Sequence, residues 1–299
     1  MARGYQTDEI KQKLVDVLRD AKTGLSGVEI AEKVGVNRIT MTKYLNVFAA
    51  EGLIREKKIG NVNLWYIEEG AEQFQFPDDY FKVKEKFIEL LTEGSEHQVY
   101  NLIRNCIHSE ATVQKIMTEI ITPTIESIQQ LYKDGKIGNS EDKQLSKIVS
   151  NSIQMLNLIT AEEDPKKNVI VLAADAKSTV LSDATAAAFH SDGWKVSSLG
   201  DMSSAIDVLF DLDLQKFLGK VWKQKTGIMI VVVFSDTEEG LNFFSGAVNS
   251  VKETVGKKLF LVLCGNVGKK TEIKADLISK NPTDIIQWCQ TKFESSEKK

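Results

Sequence analysis

Three changes of pattern along the chain predict a multidomain α/β protein. Up to residue 67, apolar residues recur at helical spacing and then alternate over two short runs; over residues 80–161 helical spacing alone governs; from residue 168, continuous apolar runs of strand length alternate with helices. The expected domains are residues 1–72, 80–161 and 166–294. The first two are joined by QFQFPDD (residues 73–79), which has no period and contains a proline. A chain of 299 residues is long enough for two or three separate cores.

Composition narrows the class. With 42% hydrophobic and 27% charged residues the chain reads as an ordinary soluble protein. No apolar run reaches membrane-spanning length, and the opening residues MARGYQTDE have no apolar targeting core, so a cytoplasmic protein with no membrane partner is expected. Cys106, Cys264 and Cys289 are too scattered for a disulfide framework or a metal site and read as small buried hydrophobes. Histidine occurs only at positions 97, 108 and 190. A net charge of −4 offers no overall attraction to nucleic acid, so any such contact must come from a local basic surface.

In the head, Ile10, Leu14, Val17 and Leu18 mark a first helix opening at Thr7. Ser26 caps a second helix that stops at Gly35; Asn37 caps a third, in which Met41, Leu45 and Phe48 face inward and Gly52 ends the run. Residues 53–57 and 63–67 alternate as two strands around the Ile59-Gly60-Asn61 turn. This order, and the phrase VEIAEKVGVNRITMTKYLNVFAAEGLIREK, resembles the winged helix-turn-helix domains of bacterial and archaeal transcriptional regulators. The resemblance implies double-stranded DNA as partner. Arg38, Thr40, Thr42, Lys43 and Tyr44 would enter the major groove, and Arg55, Lys57 and Lys58 on the wing would meet phosphate. A homodimer or higher homo-oligomer would pair two half-sites. A winged helix used only for protein contacts is the other reading.

Four helices are expected next, at about residues 80–92, 96–107 after a Ser95 cap, 111–133, and 141–160 after an Asn139 or Ser140 cap, each with one apolar stripe. Burying those stripes together makes a four-helix bundle. The segment TVQKIMTEIITPTIESIQQLYKDGKIGNSEDK resembles the helical cap of cobalamin-binding modules, with Pro123, Tyr132, Gly135 and Ile137 where that pattern wants them. Tyr132 replaces the usual tryptophan, and Asp142-Lys143 stands at the family's acid-histidine pair. A dimerising bundle with no ligand is the alternative.

The last domain reads as strands at residues 168–174, 195–199, 228–234, 259–264 and around Leu277. Helices are expected at 179–191, 203–223, 239–255 and 282–293. Strands apolar on both faces that alternate with helices make a covered parallel sheet, here a flavodoxin-like (Rossmann-like) five-stranded one. Its ligand edge would be the carboxyl ends at residues 175–180, 235–238 and 264–268. Together with the phrase KADLISKNPTDIIQWC, this edge extends the likeness to cobalamin-binding modules over residues 80–293.

That family has an aspartate-x-histidine-x-x-glycine loop after the first strand, a serine after the third and paired glycines after the fourth. This chain has Asp175-Ala176-Lys177-Ser178-Thr179-Val180, then Ser235-Asp236-Thr237, then Cys264-Gly265-Asn266. Lys177 replaces the histidine, and an ammonium has no lone pair for cobalt. Val180 replaces the glycine beside the cofactor's nucleotide tail. The resemblance thus implies a sensor edge with no metal ligand, its candidate ligand-binding residues being Tyr132, Asp142, Lys143, Asp175, Lys177, Ser178, Ser235, Asp236, Thr237, Cys264 and Gly265. The cofactor is unknown; cobalamin would have to bind without its histidine.

Phosphoreceiver domains offer a different comparison, in which Asp175, Asp236 and Lys280 would take the acid, acid and lysine roles. No P-loop, dinucleotide fingerprint or nucleophile-histidine pair is present, so no enzyme is expected. The leading expectation is a DNA-binding transcriptional regulator whose sensor has lost histidine-ligated cobalamin and answers to another ligand or to a partner. A cobalamin-dependent, light-responsive repressor, a corrinoid methyl carrier, a phosphoreceiver-like regulator and an assembly scaffold are the rivals.

Overall fold

The computed structural model describes residues 7–19, 21, 24–50, 53–60, 62–67, 74, 76, 78–109, 111–159, 161–206, 210–223, 225–267 and 273–297. The chain divides into two compact units, Met1–Asp79 with His97–Ala111, and Tyr80–Glu96 with Thr112–Lys299.

In the first unit, helix α1 (Thr7–Arg19) is followed by the two-residue strand β1 (Leu25–Ser26), α2 (Gly27–Val34), α3 (Arg38–Ala50) and the hairpin β2 (Arg55–Ile59) and β3 (Val62–Tyr66). Local chemistry sets the helix ends. Ser26 and Glu29 close a reciprocal capping box at the start of α2, and Gly35 ends it in the left-handed region at φ 75°. The Asn37 side chain accepts from the Ile39 N–H at 2.9 Å and so starts α3. Ile10, Leu14, Ile30, Met41, Leu45, Phe48 and Trp65 form the core. Strand β1, which pairs with β3, was not anticipated; two residues carry no readable alternation. Gly52 and Asn61, expected at the end of α3 and in the hairpin turn, lie outside the described residues.

Helix α5 (Glu96–His108) belongs to this first unit, which differs from the expected four-helix bundle of residues 80–161. Among the described residues, the Lys11 ammonium donates to the His108 carbonyl at 3.2 Å and the Ser109 hydroxyl accepts from the Phe74 N–H at 3.3 Å, which ties it there.

The second unit begins with α4 (Tyr80–Thr92) and continues with α6 (Val113–Ile116), a π-turn (Met117–Ile121), α7 (Thr122–Lys133) and α8 (Asn139–Asn157). The π-turn lies where one unbroken helix over residues 111–133 was expected. Pro123 has no N–H to donate and its ring would strike the preceding turn; widening the helix there, with the Thr122 N–H reaching back to Met117 O, accommodates the ring. The Thr124 hydroxyl donates to Ile120 O at 2.7 Å and satisfies a carbonyl within the widened turn. Gly138, not Asn139 or Ser140, is the N-cap of α8, so no side chain caps that helix. Thr160, its expected end, lies outside the described residues.

The sheet follows as β4 (Asp164–Ala173), α9 (Thr179–Ser191), β5 (Trp194–Asp201), α10 (Phe210–Val221), β6 (Ile228–Ser235), α11 (Glu238–Val255), β7 (Leu259–Gly265), β8 (Leu277–Ser279) and α12 (Pro282–Glu297). All pairings are parallel and the order is β5-β4-β6-β7-β8, the flavodoxin-like arrangement. Period-two geometry explains the continuous apolar runs. Ile170, Leu172, Met229, Val231, Val233, Leu261 and Leu263 pack on one face with Phe210, Leu214 and Phe244 of α10 and α11. The alternate residues, Val169, Val171, Ile230, Val232 and Val262, are equally buried, on the face that α9 and α12 cover. Helix 203–223 is shorter than expected: a 3-10 turn (Ser203–Ala205) precedes α10, and the Asp201 carboxylate turns the chain by accepting from the Ser203 N–H at 2.9 Å. Among the described residues no helix is long and apolar enough to cross a membrane.

Candidate functional site

In the parallel register Ala173 pairs with Phe234 and Ser235 with Gly265, so the ends of β4, β6 and β7 form one continuous edge. The α7–α8 hairpin stands over it, and between them lies a cavity of about 710 Å³. Ile125, Ile128 and Val149 give the hairpin side an apolar wall, while Lys177, Ser178, Ser235, Asp236, Gly265 and Asn266 line the strand side.

Asp175 organises the edge from beneath. Its Oδ1 accepts from the Ser178 N–H at 3.0 Å and the Ser178 hydroxyl at 2.9 Å; its Oδ2 accepts from the Ser235 hydroxyl and the Asp236 N–H, both at 2.8 Å. With its proton given to Asp175, Ser235 Oγ accepts from the Thr237 N–H at 3.1 Å and from the Thr237 hydroxyl at 3.2 Å. Thr237 Oγ1 in turn accepts from the Gly240 N–H at 3.2 Å and caps α11. A carboxylate has about four acceptor sites; those of Asp175 are taken by the protein's own donors. It is therefore no open carboxylate for a phosphoryl group or Mg²⁺, which removes the first acid of the phosphoreceiver comparison.

Close approach explains two glycines at this edge. A Cβ on Gly240 would lie 2.6 Å from Ser235 Oγ and 3.0 Å from Ala174 Cβ, and one on Gly265 would strike the Ser235 carbonyl oxygen and touch Leu241 Cδ1 at 3.0 Å. Gly265 is thus required by strand packing alone.

Of the expected ligand residues, Tyr132, Asp142, Lys143, Lys177, Ser178, Ser235, Asp236, Cys264 and Gly265 line the cavity; Asp175 and Thr237 do not, being turned to the network below it. Val180 also lines it. Lys177 and Asp236 face each other at 3.8 Å with side chains 72% and 47% exposed, a pair too solvated to hold either group tightly. Burial, helped by the negative Glu126, pushes the Cys264 thiol up to about 12, so it is no nucleophile at neutral pH. Among the described residues no group of three or more His, Cys, Asp or Glu side chains can hold a metal ion. Sequence reasoning missed Ile125, Ile128 and Val149, because on a helix apolar side chains spaced by three or four read as core whether they meet protein or an open cavity, and Lys133, which reads as a solvated helix-end charge.

The residues expected at DNA belong to the first unit. On α3, Arg38, Thr42 and Lys43 are exposed and Thr40 is half-buried, opposite buried Met41, Leu45 and Phe48. Tyr44 is half-buried and stacks on Phe48 with ring centroids 5.8 Å apart, so its ring serves the core more than the open face. In the hairpin, Glu56 pairs with buried Trp65 and Lys58 with Asn63, while Arg55 pairs with Tyr66 and Lys57 with Leu64. Side chains alternate, so Arg55 and Lys57 share the outer face and Lys58 points the other way.

No protein-family model matches the chain, and no curated protein matches it. Among solved structures, it is similar to the monomethylamine corrinoid protein of Methanosarcina barkeri, at 14% identity and a TM-score of 0.52, over 70% of this chain and 97% of that one. A second likeness, to the methanol:cobalamin methyltransferase complex of Methanosarcina barkeri, has 16% identity and a TM-score of 0.38, over 75% of this chain and 84% of that one. The first of these shows a shared fold: helices over a Rossmann-like parallel sheet, as in a cobalamin-binding module.

Proposed function

We propose that this protein is a DNA-binding transcriptional regulator, without catalytic activity, whose second unit senses a small molecule in the cavity over the strand ends. The observation that carries the reading is the division of α3: one face packs the core through Met41, Leu45 and Phe48, and on the other Arg38, Thr42 and Lys43 are exposed among the described residues. The order α2, turn, α3, hairpin is that of a winged helix, and the outer face of the hairpin adds Arg55 and Lys57. Regulation follows from linkage: a ligand that favours one arrangement of the chain, or of a homodimer, shifts DNA affinity by the difference in its own affinities. Such a regulator works in the cytoplasm.

The module's fold suggests a corrinoid, yet the residues present do not suit one gripped through histidine. Lys177, an ammonium, stands at the ligand position, Val180 narrows the lining where a glycine would leave space, and His190 lies in the last turn of α9, a helix length from the edge. The sensor reading therefore takes its signal from another ligand.

Titration of the full-length chain into a fluorescent duplex from upstream of its own reading frame tests the proposal. Binding should weaken steeply with salt, and Arg38→Ala and Lys43→Ala should each weaken it about tenfold, the Lys43 change also reducing the salt slope if it meets phosphate. A folded protein indifferent to DNA at low salt, or variants that bind as the parent does, would refute it.

A further inference from the structure

We infer that the cavity over the strand ends takes a ligand with a di- or polyanionic phosphate head, held among Lys133, Lys143, Lys177 and Lys280. This deepens the sensor reading and rests on it. The four lysines come from four places: the last turn of α7, the first turns of α8, the turn after β4 and the loop after β8. All four line one concavity, against two carboxylates, Asp142 and Asp236. Only Lys177 has one of these in ion-pairing range, and that pair is loose and exposed. Among the described residues, no carboxylate pairs with Lys133, Lys143 or Lys280.

Cations gathered in one concave surface repel one another and concentrate counter-ions, so the arrangement favours a compact, multiply charged anion over a neutral or singly charged one. Lysine serves phosphate well as a mobile point charge with three donors. Ile125, Ile128, Val149 and Val180 on the same lining supply an apolar wall, which suits the body of a phosphoester. The placement also supplies a signal. Lys133 and Lys143 belong to the hairpin and Lys177 and Lys280 to the strand edge, so one phosphate head meeting both ties hairpin to sheet and gives the ligand its preference between states.

Calorimetric titration of the full-length chain with inorganic pyrophosphate, at constant ionic strength, tests the inference. Single-site binding is expected, weakened about tenfold by Lys143→Gln and again by Lys280→Gln. Lys257→Gln, on the exposed turn before β7 at the other end of the sheet, is expected to bind as the parent does. None of these lysines pairs with a carboxylate among the described residues, so the variants keep the fold, which a matching thermal melt verifies. No binding, or equal weakening by the cavity and control substitutions, overturns the inference. DNA titration of the same preparations separates the failures: DNA binding without pyrophosphate binding sinks the anion site alone, and the reverse sinks the regulator reading while the anion site stands.

Discussion

Asp175→Ala lowers the unfolding free energy by about 3 kcal/mol, because four donors, the buried Ser178 and Ser235 hydroxyls among them, lose their acceptor. Asp175→Asn should fare nearly as badly. An amide has one oxygen, so its NH₂ would face either the two donors of Ser178 or those of Ser235 and Asp236, and a repulsive contact replaces an attractive one. Urea denaturation of the parent and both variants checks this. A loss below about 1 kcal/mol for the alanine variant would mean that the network contributes no more than an ordinary surface hydrogen bond.

Gly265→Ala is the second large effect, with an expected loss of about 2 to 3 kcal/mol. The added methyl meets the carbonyl oxygen of Ser235, a backbone atom of the adjacent strand that cannot rotate aside, and β6 and β7 must separate to admit it. Gly246→Ala is the matched control. Gly246 is exposed on α11 with nothing within 4 Å of an added Cβ, so alanine there should be neutral or stabilising by roughly 0.5 to 1 kcal/mol through helix propensity. Equal stability of the two alanine variants in thermal melts would contradict the packing account.

These two residues explain a pattern in the strand-end signatures. Asp175, Ser235 and Gly265, which carry the sequence resemblance to cobalamin-binding modules, are the residues that knit the ends of β4, β6 and β7 to one another. Lys177 and Val180, where it departs from them, are cavity-lining residues. The resemblance thus lies in the residues that frame the edge, and the departures from it lie in residues turned to the cavity.

Much of the fold was legible because burial on both faces leaves a plain mark: Ile228–Ser235 is apolar nearly throughout and wholly buried, and no amphipathic helix reads that way. Caps at Ser26 and Asn37 were equally plain, since a short polar side chain before an apolar period has few other uses. The π-turn before Pro123 was not legible, because a proline signals a disturbed helix without saying whether it breaks, kinks or widens. Nor was the placement of α5, as an apolar stripe states that a helix buries a face and not against what. The lysine cluster escaped for a related reason: its members span residues 133 to 280 and meet only through topology. The exposed α3 face was legible in type, whereas the stacking of Tyr44 on Phe48 and the opposite facing of Lys58 and Lys57 were not.

On the proposed function, this edge has a cobalamin-binding-like fold but does not hold the cofactor. Absorbance of the full-length chain, incubated with hydroxocobalamin and adenosylcobalamin in the dark and then freed of unbound ligand, tests it most directly. The account predicts a spectrum of protein alone. A stoichiometric corrin band that survives the separation would contradict it.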